Sequence, residues 1–267
     1  MIEIVKNYRT YGSAPYTVVV VHGGPGAAGE MAPVARELSC ARGILEPLQT
    51  AISLEGQVGE LRMILESYAA LPIVLIGFSY GAWLSYIVAA RYPELVRKLL
   101  LISSGPFDES YVAQIEATRW QRFNGQEQEE WQAISRALSD PVARGKDALL
   151  AQMGLLASIA DTYDPIVNVS EAHDIISTKS DVFHSVWTTA AEWRRNGMLL
   201  ELGHVIQCPV VAIHGDYDPH PAAGVRKSLS VVLKDFRFVL LKNCGHTPWF
   251  ERQARGIFFE AIMRELA

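Results

Sequence analysis

Residues 72–92 read PIVLIGFSYGAWLSYIVAARY. A proline and four branched aliphatic residues lead into Gly77-Phe78-Ser79-Tyr80-Gly81, and a run of helix-compatible residues follows at once. The pattern is strand, tight turn, helix, with a serine at the apex of the turn. Small residues on both sides of Ser79 permit the strained turn that would lift a hydroxyl clear of the backbone. The helix expected over 80–92 is apolar nearly all round, as suits one buried against the middle of a sheet.

Working outward, four further runs have the same character: TVVVVHG (17–23), VRKLLLISS (96–104), CPVVAIHG (208–215) and FRFVLLKN (236–243). Continuous Val/Ile/Leu runs of this length are expected of strands covered on both faces. Helical patterns over 28–39, 56–70 and 248–266 alternate with them, so a mostly parallel sheet with helices on both faces is expected. In such sheets functional groups gather in loops at the carboxyl ends of strands. The stretch 107–200 breaks the rhythm. It has no convincing buried strand, is rich in Glu, Gln and Ala, and contains Trp120, Trp131, Trp187 and Trp193. We read 1–106 and 201–267 as one core domain and 107–200 as a helical cap (lid) inserted over the carboxyl edge.

Composition removes whole classes of function. With 49% apolar and 20% charged residues the chain of 267 is an ordinary globular one. A formal charge of −5, with no Lys/Arg block, offers no field for nucleic acid. The apolar runs are far short of a membrane span, and MIEIVKNYRTYG has no signal-peptide pattern. Cys40, Cys208 and Cys244 are odd in number and far apart, which suits a reducing compartment. A cytoplasmic protein acting on a small-molecule substrate, with no nucleic-acid or membrane partner, is expected.

A serine hydroxyl needs a base to take its proton, and the base needs a carboxylate to orient it. Of the seven histidines, His246 follows the strand FRFVLLKN, directly after Gly245 and just before Pro248, which would project it over the same edge as Ser79. For the acid, the strand PVVAI ends in His214-Gly215-Asp216-Tyr217-Asp218, and both aspartates are suitable by position. A competing arrangement is a metal site from His214, Asp216, Asp218 and His220, whose side chains suit zinc or manganese. That reading leaves the Ser79 turn and His246 unused. Glu109, Glu116, Glu127, Glu129 and Glu130 read as solvated helix faces.

These motifs, in the chain order Ser, Asp, His, resemble those of α/β-hydrolase-fold enzymes, over about 15–106 and 201–266. The resemblance implies Ser79 as nucleophile, His246 as base and, at the last position of G-x-x-D, Asp218 as acid, with Asp216 a loop or capping residue. GHTPWFE (245–251) is similar to the family's GHxPxxE ending. It also implies an oxyanion hole from the backbone N–H groups of Tyr80, after the nucleophile, and Gly24, in the early HG-x loop. His22 then braces that loop. No cofactor is required.

HGGPGAAGEM (22–31) lacks the Lys and Ser/Thr of a phosphate-binding loop, and Pro25 stiffens the one dinucleotide-like glycine spacing, Gly24, Gly26 and Gly29. HGGPG resembles the loop of the proline iminopeptidase branch, whereas LEPLQTAISLEG (45–56) has no DQRGxGxS stretch and GFSYG stands where GGSWG is common. The expected function is therefore a serine hydrolase of small ester-type substrates. A proline iminopeptidase-like aminopeptidase and a carbon–carbon bond hydrolase are the alternatives, and a hydrolase-fold ligand-binding protein lies outside catalysis. Haloalkane dehalogenases and epoxide hydrolases of this fold use an aspartate nucleophile, against which Ser79 argues.

Overall fold

The computed structural model describes residues 7–140, 142–166 and 179–267. Seven strands form one sheet: β1 (Tyr8–Tyr11), β2 (Tyr16–Val21), β3 (Gly43–Pro47), β4 (Ile73–Phe78), β5 (Val96–Ile102), β6 (Val210–Gly215) and β7 (Phe236–Leu241). Their spatial order is β1-β3-β2-β4-β5-β6-β7, parallel throughout except for β1, which runs antiparallel to β3.

Alternation along each central strand divides the apolar residues between two cores. Val19 and Val21 of β2, Leu75 of β4 and Leu99 and Leu101 of β5 face the side covered by α2 (Leu54–Tyr68) and α3 (Tyr80–Arg91). Val18, Val20, Val74, Ile76, Leu100 and Ile102 face the other side, covered by α1 (Ala32–Leu38) and α10 (Arg255–Leu266). This two-sided burial is why the sequence shows uninterrupted aliphatic runs instead of polar–apolar alternation.

Several elements depart from expectation. β1 and β3 are strands that the aliphatic pattern does not mark. YRTY is a half-buried edge of polar and aromatic residues, and GILEP is fully buried but brings Glu46 and Pro47 into the sheet. The helix expected over 28–39 begins only at Ala32, because residues 23–31 are spent on turns. The one expected over 248–266 splits into a single tight turn, Pro248–Phe250, and α10. A further helix, α9 (Ala222–Val232), lies between β6 and β7.

Between β5 and β6 the described residues form the helices α4 (Val112–Arg122), α5 (Gly125–Ser139), α6 (Lys146–Asp161), α7 (Ser180–Arg195) and α8 (Met198–Glu201). α4 to α6 share a small core of Phe123, Ile134, Leu156 and Ala160, with Trp131 packed against it. α7 instead joins the main core through Val182, Val186 and Ala190, and Trp187 stacks on Trp83 of α3 with ring centroids 5.5 Å apart. Glu109 is exposed, as expected, and it also pairs at 2.8 Å with Arg194, whose guanidinium is buried and needs the counter-charge. Glu127 closes a capping box with Asn124 at the start of α5. Residues 167–178, within the stretch expected to be a cap, lie outside the described residues. Among the described residues, no helix is long and apolar enough to cross a membrane. Cys40, Cys208 and Cys244 are unpaired.

Candidate active site

Ser79 sits between β4 and α3 with φ 52° and ψ −117°, a conformation that side-chain-bearing residues adopt only under constraint. The constraint comes from its flanking glycines. A Cβ on Gly81 would collide with the carbonyl oxygens of His22 and Val21, and one on Gly77 with the Gly81 carbonyl. The first turn of α3 therefore lies directly on the end of β2, which leaves the chain room for only one sharp reversal, at Ser79.

The loop after β7 carries His246 to this turn. His246 Nε2 lies 3.2 Å from Ser79 Oγ, and His246 Nδ1 lies 2.8 Å from Asp218 Oδ2. The Asp218 side chain is fully buried in the loop after β6. Its other oxygen accepts two bonds from His220, from the backbone N–H at 2.9 Å and from Nδ1 at 2.7 Å. The His220 ring stacks on that of His246 at 4.4 Å. Burial opposes ionisation of Asp218, but His246, His220 and His214 hold its carboxyl well below the usual range. Burial depresses His246 too, and the Asp218 carboxylate more than offsets this, so its pKa is raised. Burial lowers His220 to about 4, leaving it neutral. One histidine is thus poised to accept a proton while its neighbour stays uncharged.

Asp216 turns away from this group. Its carboxylate accepts the Cys244 N–H at 3.4 Å and pairs with Lys242 at 3.4 Å. Of the cluster considered for a metal, His214, Asp218 and His220 meet, and Asp216 does not. Ligand atoms of Asp218, His220 and His246 do lie within 4.8 Å of one another. Both Asp218 oxygens are nevertheless occupied by the two imidazoles, so this is first a hydrogen-bonded network.

The turn after β2 is braced by His22. The Gln49 N–H donates to His22 Nε2 at 3.2 Å, which leaves Nδ1–H to donate to the Gly23 carbonyl at 2.9 Å. Burial lowers His22 to about 4, consistent with a neutral, fixed ring. Tyr80 begins α3, so its N–H belongs to the turn that has no intrahelical acceptor. Its side chain points inward, and the hydroxyl donates to Gln57 Oε1 at 2.9 Å.

Glu251, the last residue of the GHTPWFE stretch, has a structural role that the motif alone does not describe. Its carboxylate is completely buried and accepts the N–H groups of Gly245 (2.7 Å), Tyr163 (2.8 Å) and Asp164 (2.8 Å). It ties the His246 loop to the segment that follows α6. The His246 N–H adds a bond of 2.8 Å to the Asp161 carbonyl, and Asp161 is held bidentately by Arg119. Arg119 also lines a cavity of about 580 Å³ between α4 and α5, together with Glu116, Trp120, Phe123 and Trp131. Glu251→Ala strands three N–H donors, each worth roughly 1–3 kcal/mol when buried and unpaired. We expect urea unfolding of this variant to show a loss on the order of 3 kcal/mol or more.

A site on the carboxyl ends of β2, β4, β6 and β7 of a sheet in this order defines an α/β-hydrolase fold. The chain belongs to the Alpha/beta hydrolase family, whose model matches residues 18–258. No curated protein matches it by sequence. Solved structures of similar fold include VinJ, with a TM-score of 0.65 and 19% identity over 97% of this chain and 93% of that one. A thermophilic esterase from Thermogutta terrifontis in malate-bound form gives 0.65 and 16% identity, covering 97% and 92%. The enol-lactonase from Burkholderia xenovorans gives 0.60 and 19%, covering 97% and 95%. At such identities the likeness is one of fold.

Proposed function

We propose that the chain is a serine hydrolase that transfers an acyl group to water, acting on small ester-type carbonyl substrates. The observation that carries this reading is the unbroken hydrogen-bond chain from Ser79 Oγ through His246 to Asp218, set at a strained strand-to-helix turn. Ser79 attacks the carbonyl carbon while His246 Nε2 takes its proton. His246 then returns that proton to the leaving group. Asp218 holds Nδ1–H in place and stabilises the imidazolium. The N–H groups of Gly24 and Tyr80 receive the charge that develops on the carbonyl oxygen, each donor contributing on the order of 3 kcal/mol to the transition state. Water, activated by the same histidine, releases the acyl group.

In this reading residues 107–200 act as a cap that bounds the substrate space. In support, the Lys179 backbone lies against Gly26 of the turn after β2, and Asp161 bonds the His246 backbone. An esterase and an enol-lactonase among the chains of similar fold accord with an ester-type substrate.

The test is pre-steady-state hydrolysis of a nitrophenyl ester. A burst of nitrophenol equal to the enzyme concentration is expected if an acyl-enzyme forms and deacylates slowly. A matched aminoacyl nitroanilide hydrolysed faster than any ester would move the reading to an aminopeptidase like the proline iminopeptidase branch. Tight binding of substrates with no turnover would make the chain a ligand-binding protein.

A further inference from the structure

Glu30 is a carboxyl beside the site that takes no part in the mechanism above. It stands at the far end of the turn after β2, and its Oε2 accepts the Gly23 N–H at 3.0 Å. The two are pressed together: a Cβ on Gly23 would meet Glu30 Oε2 at 2.5 Å and the Phe78 ring at 2.8 Å. From the other end of the same residue, the Gly23 carbonyl accepts His22 Nδ1–H at 2.9 Å. Gly23 is therefore held at both its N–H and its C=O. In a trans peptide the N–H points opposite to the preceding C=O. Fixing the Gly23 carbonyl thus fixes the direction of the Gly24 N–H.

We propose that Glu30 is a positioning residue for the oxyanion hole, clamping Gly23 from one side as His22 does from the other so that the Gly24 N–H stays aimed at the reacting carbonyl. The inference rests on the serine hydrolase reading and adds to it a residue that never touches substrate. What the clamp needs is an acceptor oxygen, not a negative charge. Burial pushes the Glu30 carboxyl up to about 7. Either protonation state leaves an oxygen free to accept the Gly23 N–H.

Glutamine keeps an acceptor oxygen at the same reach, and methionine keeps the volume without it. The experiment measures kcat and KM for a nitrophenyl ester with Glu30→Gln, Glu30→Met and Glu30→Ala, each normalised to active sites titrated with a fluorophosphonate. Glu30→Met and Glu30→Ala are expected to lose about tenfold in kcat per titrated site at unchanged KM, because one oxyanion donor is loosened but not removed. Glu30→Gln is expected to stay within about threefold of the parent, since it restores the bond. Parent-like kcat per site in Met or Ala, or a Gln variant as impaired as Met, would overturn the proposal. Failure of the parent itself to react with the fluorophosphonate would instead overturn the serine hydrolase reading.

Discussion

Ser79→Ala is expected to reduce kcat for ester hydrolysis by on the order of 10⁶-fold, the loss typical of removing the nucleophile from such a unit. Alanine keeps the side chain's only carbon and deletes the hydroxyl 3.2 Å from His246. The residual rate should be that of substrate held near the oxyanion donors and attacked directly by water. The fold should scarcely change, because the φ of 52° is imposed by the packing of Gly77 and Gly81, and alanine fits it no worse than serine. Thermal unfolding beside steady-state kinetics checks both halves. Hydrolysis within about tenfold of the parent would remove Ser79 from the mechanism.

Asp218→Asn is expected to cost about 10⁴-fold in kcat. The carboxylate now accepts from His246 through one oxygen and from His220 through the other. Asparagine offers a single oxygen, so one of these donors must face an N–H₂ group. If His246 loses its acceptor, it no longer presents Nε2 to Ser79 as a base.

The pH profile gives a second, independent sign. The proposed mechanism requires neutral His246, whose pKa burial lowers and Asp218 more than restores. In the parent the acid limb of kcat/KM therefore lies above the ordinary histidine value, and activity is lost as pH falls through it. Without the carboxylate, burial dominates and the limb moves to lower pH. Asp216→Asn should show neither effect, because that side chain bonds Cys244 and Lys242. The reverse pattern would make Asp216 the acid.

Much of this was legible in the chain because the features are local. Four valines in a row, or PIVLI before a glycine, report a strand buried on both faces without reference to anything distant. Ser79 and His246 stand out for the same reason: each follows a legible strand, with a glycine one or two positions before it. β1 and β3 were hidden because an edge strand is only half buried and because Glu46 interrupts a short buried one. The choice between Asp216 and Asp218 was beyond periodicity and needed the family's G-x-x-D spacing. The GHxPxxE resemblance includes Glu251, but its partners Tyr163 and Asp164, 88 and 87 positions away, and Arg194, 85 positions from Glu109, share no pattern with them. Glu30 bonds only seven residues back, yet the bond depends on the fold of a turn that its composition does not dictate.

The most direct test of the central claim is covalent labelling with a fluorophosphonate, followed by peptide mass spectrometry to locate the adduct. The account predicts one phosphonyl group per chain, on Ser79, absent from Ser79→Ala and formed slowly in His246→Ala. An unlabelled parent that still hydrolyses esters, or an adduct on any other residue, would contradict it.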